Sequence, residues 1–183
     1  MKKFYCLWVT TGSEEDYVKD VQPLLNDPES SIQGKLYNLG KQMRLKNGKE
    51  YTAPLFPSYI FLETDQLNTK DLRLLQNGRG FIKILPNNKE IQSLSPDDTE
   101  LILSIIKFGT VIPIVHATFD VNDKIVILDG PFKGKEGLVT AVNRRNKRVN
   151  FEVKLMNGIA VIGLTYEAMD RVESKYEKTE KTR

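Results

Sequence analysis

One short stretch of the chain concentrates the residue types that hold nucleotide phosphates in enzymes. The segment DGPFKGKEG, residues 129–137, contains three glycines and two lysines. A Walker-type phosphate loop needs G-x-x-x-x-G-K-[ST] between a strand and a helix. Here Gly130 and Gly134 are one residue too close, and Glu136 stands where a metal-binding hydroxyl is needed. The spacing also differs from the dinucleotide pattern G-x-G-x-x-G. The segment therefore predicts a turn between two strands.

The other residues with catalytic potential are scattered. His116 is the single histidine and lies in a segment without helical periodicity. Cys6 is the single cysteine, which excludes an intrachain disulfide, and its apolar surroundings predict a buried thiol. Asp97 and Asp98 fit the first turn of a helix. No cysteine or histidine pair has metal-ligand spacing. We therefore expect a protein that is not an enzyme and that holds no metal or cofactor.

Two groups of basic residues have the chemistry to bind a polyanion. The first group surrounds the dipeptide Asn47-Gly48 and comprises Lys41, Arg44, Lys46 and Lys49. The second group comprises Arg144, Arg145, Lys147 and Arg148, together with Lys133 and Lys135 of the glycine-rich turn. A solvated loop is the simpler interpretation of each group. Contact with nucleic-acid phosphates is the alternative, and such binding is insensitive to sequence and sensitive to salt.

The composition is that of a soluble globular protein. The chain has 183 residues, 40% hydrophobic and 28% charged, with a net charge of +3. This length suits one ordinary domain or two small ones. The apolar run Phe4–Val9 is too short for a secretory signal, and no run of about 18 apolar residues exists. With a single cysteine, these features predict a cytoplasmic protein that does not contact membranes.

The first 108 residues predict an antiparallel sheet flanked by helices. FYCLWV, SYIFLE and GFIKIL have the apolar and β-branched composition of buried strands. A long hairpin is expected over residues 34–62, because Asn47-Gly48 is a strong hairpin signal. The resulting order, β-α-β-β-α-β-α, is close to the ferredoxin-like or RNA-recognition-like plan.

Three segments in this part predict helices. The first helix follows Ser13, which begins an S-x-x-D capping pattern, and Pro23 predicts a kink or a new turn in it. NTKDLRLLQNG predicts a short helix. SPDDTELILSIIKFG predicts a third helix, with Ser95 as the N-cap, Pro96 at the first helical position and acidic residues in the first turn.

The pattern changes after residue 108. Residues 109–119 lack a helical period and predict a linker or a docking strand. Residues 120–173 contain short strand patterns separated by turn residues, which indicates a small all-β barrel. Residues 174–183 alternate charges without an apolar period and are predicted to be disordered. The expected fold class is therefore α+β, with an N-terminal domain over residues 1–108.

The glycine-rich turn and its flanking strands resemble a known motif. VNDKIVILDGPFKGKEGLVTAVNRRNKRVNFEVKL is similar to the KOW motif of the NusG family of transcription elongation factors. LFPSYIFLE independently resembles the FPGY-type signature of the family's N-terminal domain, called NGN. The resemblance covers about residues 4–172. It implies an NGN domain followed by an SH3-like KOW barrel.

Some segments are similar to specialised paralogues of the LoaP and RfaH type. These segments are PLFPSYIF and NRRNKRVNFEV, while Phe4 and Ser58 depart from the usual tryptophan and glycine. This resemblance implies a transcription elongation or antitermination factor that promotes processive transcription. RfaH-type C-terminal domains can also fold as a helical hairpin. The strongly β pattern of IVIL and VNFEV predicts a stable barrel here.

The resemblance implies that the NGN domain binds the clamp of RNA polymerase. The matching positions are Trp8, Phe56, Tyr59 and Phe61. Aromatic side chains suit the buried centre of an interface, because they bring a large apolar area with few rotatable bonds. The same residues could instead form the core. Period-two alternation places Tyr59 and Phe61 on one face of their strand, but it does not show which face is buried.

The resemblance also implies contacts with nucleic acid. The first basic group would contact upstream DNA or the non-template strand, and the second would contact an RNA hairpin. Alternatively, the KOW barrel is an adaptor to a ribosomal protein or to Rho, as in a general NusG-like factor. We expect the protein to be a monomer.

Overall fold

The computed structural model of the protein describes residues 2–169. Twelve strands and three α-helices follow one another in these residues: β1 Lys3–Val9, α1 Glu14–Asn26, β2 Gly34–Tyr37, β3 Gly40–Arg44, β4 Glu50–Pro54, β5 Tyr59–Thr64, α2 Leu72–Leu75, β6 Phe81–Ile84, α3 Pro96–Ile106, β7 Val111–Ile112, β8 Val115–Phe119, β9 Ile125–Ile127, β10 Val139–Asn143, β11 Arg148–Leu155 and β12 Gly158–Ala168. Short 3₁₀ turns precede α2 and β10. The predicted α+β class is confirmed. The C-terminal tail predicted to be disordered lies outside the described residues.

The N-terminal half is built on a four-stranded antiparallel sheet in the order β2-β5-β1-β6. One face packs through Leu7 and Ile60 in a cluster that also contains α1 and α2 residues. The other face packs through Cys6 and Phe61 in a cluster that also contains Ile102 of α3. Both faces of β5 therefore contribute buried residues to the core, Phe61 on one face and Ile60 and Leu62 on the other.

The hairpin signal at Asn47-Gly48 is confirmed. β3 and β4 pair across it, from Gly40 opposite Pro54 to Arg44 opposite Glu50. β2 and β5 continue the same hairpin inside the main sheet. The strand pairing is interrupted between the β2–β5 part and the β3–β4 part of this hairpin. β3 and β4 therefore belong to a separate three-stranded sheet, in the order β4-β3-β7.

Helix starts follow the predicted capping chemistry in one case and not in another. At α3 the Ser95 hydroxyl accepts a hydrogen bond from the Asp98 backbone N–H at 3.1 Å. The capping contact predicted for Ser13 is wrong, because its side chain makes no cap hydrogen bond at α1. Pro23 lies inside α1, which continues to Asn26 without a break in the helix.

The C-terminal half forms a curled five-stranded sheet in the order β10-β11-β12-β8-β9. The turn over residues 129–137 joins β9 to the 3₁₀ turn before β10, as its strand-joining interpretation predicted. Gly130 and Gly134 adopt φ of +80° and +74°, a region that favours glycine. Phe132 is fully buried and stacks on Phe151 with ring centroids 4.5 Å apart.

Residues 109–119 connect the halves through strands. β7 pairs in parallel with β3 of the N-terminal half, and β8 pairs with β9 and β12 of the C-terminal half. One contiguous cluster of buried residues extends from Phe61 of the N-terminal sheet to Phe151 of the C-terminal sheet. The two halves are therefore docked against each other. No helix in the described part of the chain is long and apolar enough to cross a membrane.

Candidate protein and nucleic-acid interfaces

A row of two aromatic residues and one lysine crosses three strands of the N-terminal sheet. Trp8 of β1 lies opposite Tyr59 of β5 on one side and Lys83 of β6 on the other. Trp8 is 38% exposed and Tyr59 is half-buried. The Lys83 ammonium lies 5.3 Å from the centroid of the Trp8 ring, within cation–π range. A large aromatic side chain beside a cation is thus left open to solvent in a sheet whose other central positions are covered.

The two phenylalanines predicted with this row lie inside the protein. Phe61 is fully buried and Phe56 is 5% exposed, and their rings meet edge to face at 5.6 Å. They therefore pack in the core beside the row. Only Trp8 and Tyr59 of the four predicted residues are accessible to a partner in this arrangement.

Glu14 organises the corner that precedes Tyr59, a role that the sequence reasoning missed. The Glu14 carboxylate is nearly buried and accepts hydrogen bonds from the backbone N–H groups of Gly12 and Ser58, at 2.7 and 2.8 Å. Ser58 adopts φ of +71°, and its hydroxyl lies 2.6 Å from that of Thr11. Local spacing offers no signal for this role, because Ser58 lies 44 residues from Glu14 along the chain.

The residues of the first basic group have unequal environments. The Arg44 guanidinium pairs with Glu50 at 2.7 Å and with Glu167 of β12 at 3.0 Å. Lys41 is half-buried, and burial lowers the pKa of its ammonium, with the charge of Arg148 as a further cause. The remaining two lysines, Lys46 and Lys49, are exposed.

Two arginines of the second basic group are used within the fold. Arg144 pairs with Asp123 at 2.7 Å and lies 4.0 Å above the Phe119 ring. Arg148 donates to the backbone carbonyl oxygen of Arg44 at 2.8 Å and also contacts the Met43 sulfur and the Thr165 hydroxyl. Of the other predicted members, Arg145, Lys147 and Lys133 are exposed and Lys135 is half-buried.

The tips of the two basic hairpins line one cavity. This cavity has a volume of about 430 Å³ and lies between the β3–β4 turn and the β10–β11 turn. Its lining is Arg44, Leu45, Lys46, Gly48, Arg145, Asn146, Lys147, Arg148 and Thr165. The remaining predicted cations, Lys41, Lys49, Lys133, Lys135 and Arg144, do not line it. Sequence reasoning treated the two groups as separate, and nothing in local spacing indicates that they meet.

His116 belongs to a polar chain that crosses between the two halves. Its Nδ1 lies 2.5 Å from the Asp129 carboxylate, and its Nε2 lies 3.9 Å from Glu167. Glu167 in turn pairs with Arg44. The hydrogen bond and charge of Asp129 raise the pKa of His116, with a smaller contribution from Glu167. Residues 2–169 contain no cluster of three or more side chains suited to hold a metal ion.

Comparisons with known proteins find the same two modules. The family model described as transcription termination factor nusG matches residues 2–103, and the KOW motif model matches residues 121–152. A Rickettsia prowazekii protein named transcription termination/antitermination protein NusG is 20% identical over 176 residues, covering 93% of this chain and 91% of that one. A protein of the same name from Liberibacter asiaticus is 27% identical over 60 residues, covering 33% of this chain and 86% of that one.

A solved structure shares the fold. The structure described as "Domain interaction in Thermotoga maritima NusG" superposes with a TM-score of 0.56 at 14% identity. The match covers 90% of this chain and 94% of that one. This likeness shows that the two chains share a fold.

Proposed function

The chain belongs to the NusG family of transcription termination and antitermination factors, and on that premise we propose that it binds RNA polymerase and promotes processive elongation. In this proposal the NGN domain, residues 1–108, docks on the polymerase clamp. Residues 109–119 connect it to a KOW domain over residues 120–173, which binds RNA. Binding and positioning account for all of this activity, without a catalytic group.

The observation that carries the polymerase proposal is the exposure of Trp8 beside Tyr59. The neighbouring β1 residues Leu7 and Val9 are fully buried, yet Trp8 leaves 38% of its surface in solvent. Aromatic side chains of this kind are enriched among the residues that dominate binding energy. Phe56 and Phe61 support the proposed surface from the core, and Glu14 fixes the corner that presents Tyr59.

The experiment is retention of core RNA polymerase on the immobilised full chain. We expect the double variant Trp8→Ala, Tyr59→Ala to weaken retention more than about tenfold, because truncating an interface anchor typically costs about 2 kcal/mol or more. Tyr51→Ala is the matched control, since Tyr51 is also an exposed aromatic residue but lies on the β3–β4 hairpin. Full retention by the double variant would contradict the docking surface.

RNA binding by the KOW domain is supported by the exposed cations Arg145 and Lys147 at the tip of its β10–β11 hairpin. A turn that presents cations suits RNA, which proteins recognise largely through shape and phosphates. In this proposal the chain is a specialised paralogue of the LoaP or RfaH type that acts on particular transcripts. Upstream or non-template DNA is the further ligand proposed for the first basic group.

A second candidate function has an observation of its own. Ile159 and Val161 of β12 are 69% and 60% exposed and lie on the same face of the strand. Exposed apolar side chains in one row fit a protein partner. Under this alternative the KOW domain is an adaptor to a ribosomal protein or to Rho, and the chain is a general NusG-like factor.

A further inference from the structure

We propose that the cavity between the two hairpin tips is a single composite site, in which one nucleic-acid strand contacts both domains at once through its phosphates. The inference deepens the RNA-binding part of the proposed function and rests on it. It differs in assigning half of the site to the NGN hairpin, so that neither domain contains the complete site.

The charge of the cavity lining is the first argument. Arg44, Lys46, Arg145, Lys147 and Arg148 line the cavity, and no described acidic residue does. Arg44 is neutralised by Glu50 and Glu167. The other four form no ion pair within residues 2–169. Like charges held around one cavity repel one another, so a polyanion entering the cavity relieves that repulsion.

The placement of Arg148 is the second argument. Its guanidinium is half-buried where the domains meet, and its hydrogen-bond partners are the Arg44 carbonyl oxygen, the Thr165 hydroxyl and the Met43 sulfur. All of these partners are neutral. Burial lowers the pKa of the Lys41 ammonium, and the charge of Arg148 lowers it further. The cavity lining therefore includes, at Arg148, a positive charge that no ion pair within residues 2–169 compensates.

The shape and chemistry of the cavity indicate which part of a nucleic acid it contacts. None of the described residues that line it is aromatic. Bases bound by stacking need such a platform, whereas phosphates need only cations and donors. Lys46 and Arg145 lie on opposite hairpin tips and are exposed, so a strand that passes between the tips can contact both. We therefore assign phosphate contacts to this cavity rather than base recognition.

The test uses the full chain and a labelled 12-nucleotide uridine RNA, with a thymidine DNA of equal length in parallel. Affinity is measured by fluorescence anisotropy over a range of salt concentrations. Lys46→Gln removes a cation from the NGN side, and Arg145→Gln removes one from the KOW side. Both side chains are exposed and form no ion pair within the described residues, so both variants should fold.

The composite site predicts that each single variant weakens binding of the same oligonucleotide by up to about fivefold. Each should also reduce the slope of log affinity against log salt by about 0.7. RNA and DNA should behave alike, because the contacts are to phosphates; a slope change confined to RNA or to DNA would overturn the phosphate-only assignment. Lys70→Gln and Lys154→Gln are the controls. Lys154 lies six residues from Arg148 along β11, about 20 Å away, so its loss should change nothing.

The outcomes separate this inference from the function on which it rests. If Arg145→Gln weakens binding and Lys46→Gln does not, the composite site is wrong while RNA binding by the KOW domain stands. If the wild-type chain binds neither oligonucleotide, both proposals fail, and the protein-adaptor function is favoured. Equal weakening by the control variants would also overturn the composite site, because it would indicate diffuse attraction to the whole surface.

Discussion

The arginines of the two basic groups have different structural roles. Arg44 and Arg148 tie the two halves together, and Arg144 is held against Phe119 within the C-terminal half. Arg145 has no comparable tie within the described residues and projects from a turn. Neutralising the first three would damage packing as well as charge, since arginine contributes to both. Variants that test binding should therefore be made at the untied positions.

The pKa of His116 is a testable property of a single residue. Asp129 raises its pKa, so we expect a value above 6.5. Because the pKa of His116 is higher in the folded than in the unfolded protein, protonated His116 stabilises the fold. This contribution to the free energy of unfolding is fully present below about pH 6.5 and is lost as pH rises through the folded pKa. As the only histidine, His116 gives one Hε1 resonance in an NMR titration.

The Asp129→Asn variant is the check on this assignment. It keeps the shape of the side chain and should return the His116 pKa towards 6.5. Glu167→Gln should lower the pKa less, because Glu167 is 3.9 Å away and makes the smaller contribution. A wild-type pKa at or below 6.5 would show that the carboxylate contact does not form in solution.

At the scale of elements, α3 shows how a local sequence signal determines a helix start. Ser95 precedes Pro96, and its hydroxyl accepts from the Asp98 N–H. α3 then buries Ile102 and Ile105. The helix therefore covers one face of the N-terminal sheet, and the cap fixes where that cover begins.

Removal of this cap should have a measurable cost. We expect Ser95→Ala to lower the free energy of unfolding by about 1 kcal/mol, the usual value for losing an N-cap hydrogen bond. Urea denaturation followed by circular dichroism measures the change. Ser93→Ala is the control, because Ser93 is exposed and lies before the helix. Equal stability of the two variants would mean that solvent replaces the cap without loss.

At the scale of the whole molecule, the shared core predicts that the two halves unfold cooperatively. Buried residues form one contiguous cluster across both halves. Trp8, the single tryptophan, reports on the N-terminal half alone, whereas circular dichroism reports on both. We expect the two signals to give the same unfolding midpoint, as a two-state transition requires.

Phe151→Ala tests this coupling directly. Phe151 is fully buried in the C-terminal half, and its truncation should cost about 3–5 kcal/mol. If the halves unfold together, the Trp8 fluorescence transition shifts to lower denaturant concentration with the circular dichroism transition. Val142→Ala is the matched surface control in the same sheet. A Trp8 transition that Phe151→Ala leaves in place would show two independent units.

In this protein, features that depend on residues close together in the chain could be predicted from the sequence, and contacts between residues far apart in the chain could not. Local signals worked for the Asn47-Gly48 hairpin, the α3 cap and the glycine-rich turn, because each depends on residues a few positions apart. At α1 Ser13 occupies the predicted N-cap position, but its side chain makes no cap hydrogen bond. The meeting of the two basic hairpins was out of reach, since Arg44 and Arg148 touch across about a hundred residues of chain.

The parallel pairing of β7 with β3 has a consequence for how the protein is made. Gly40 and Lys41 pair along β3 with Val111 and Ile112, which are synthesised about seventy residues later. Domains generally fold from the N-terminus as the ribosome releases the chain. This edge of β3 therefore stays open to other strands until the connecting segment emerges, so the sheet β4-β3-β7 is completed only after residues 109–119 have been translated.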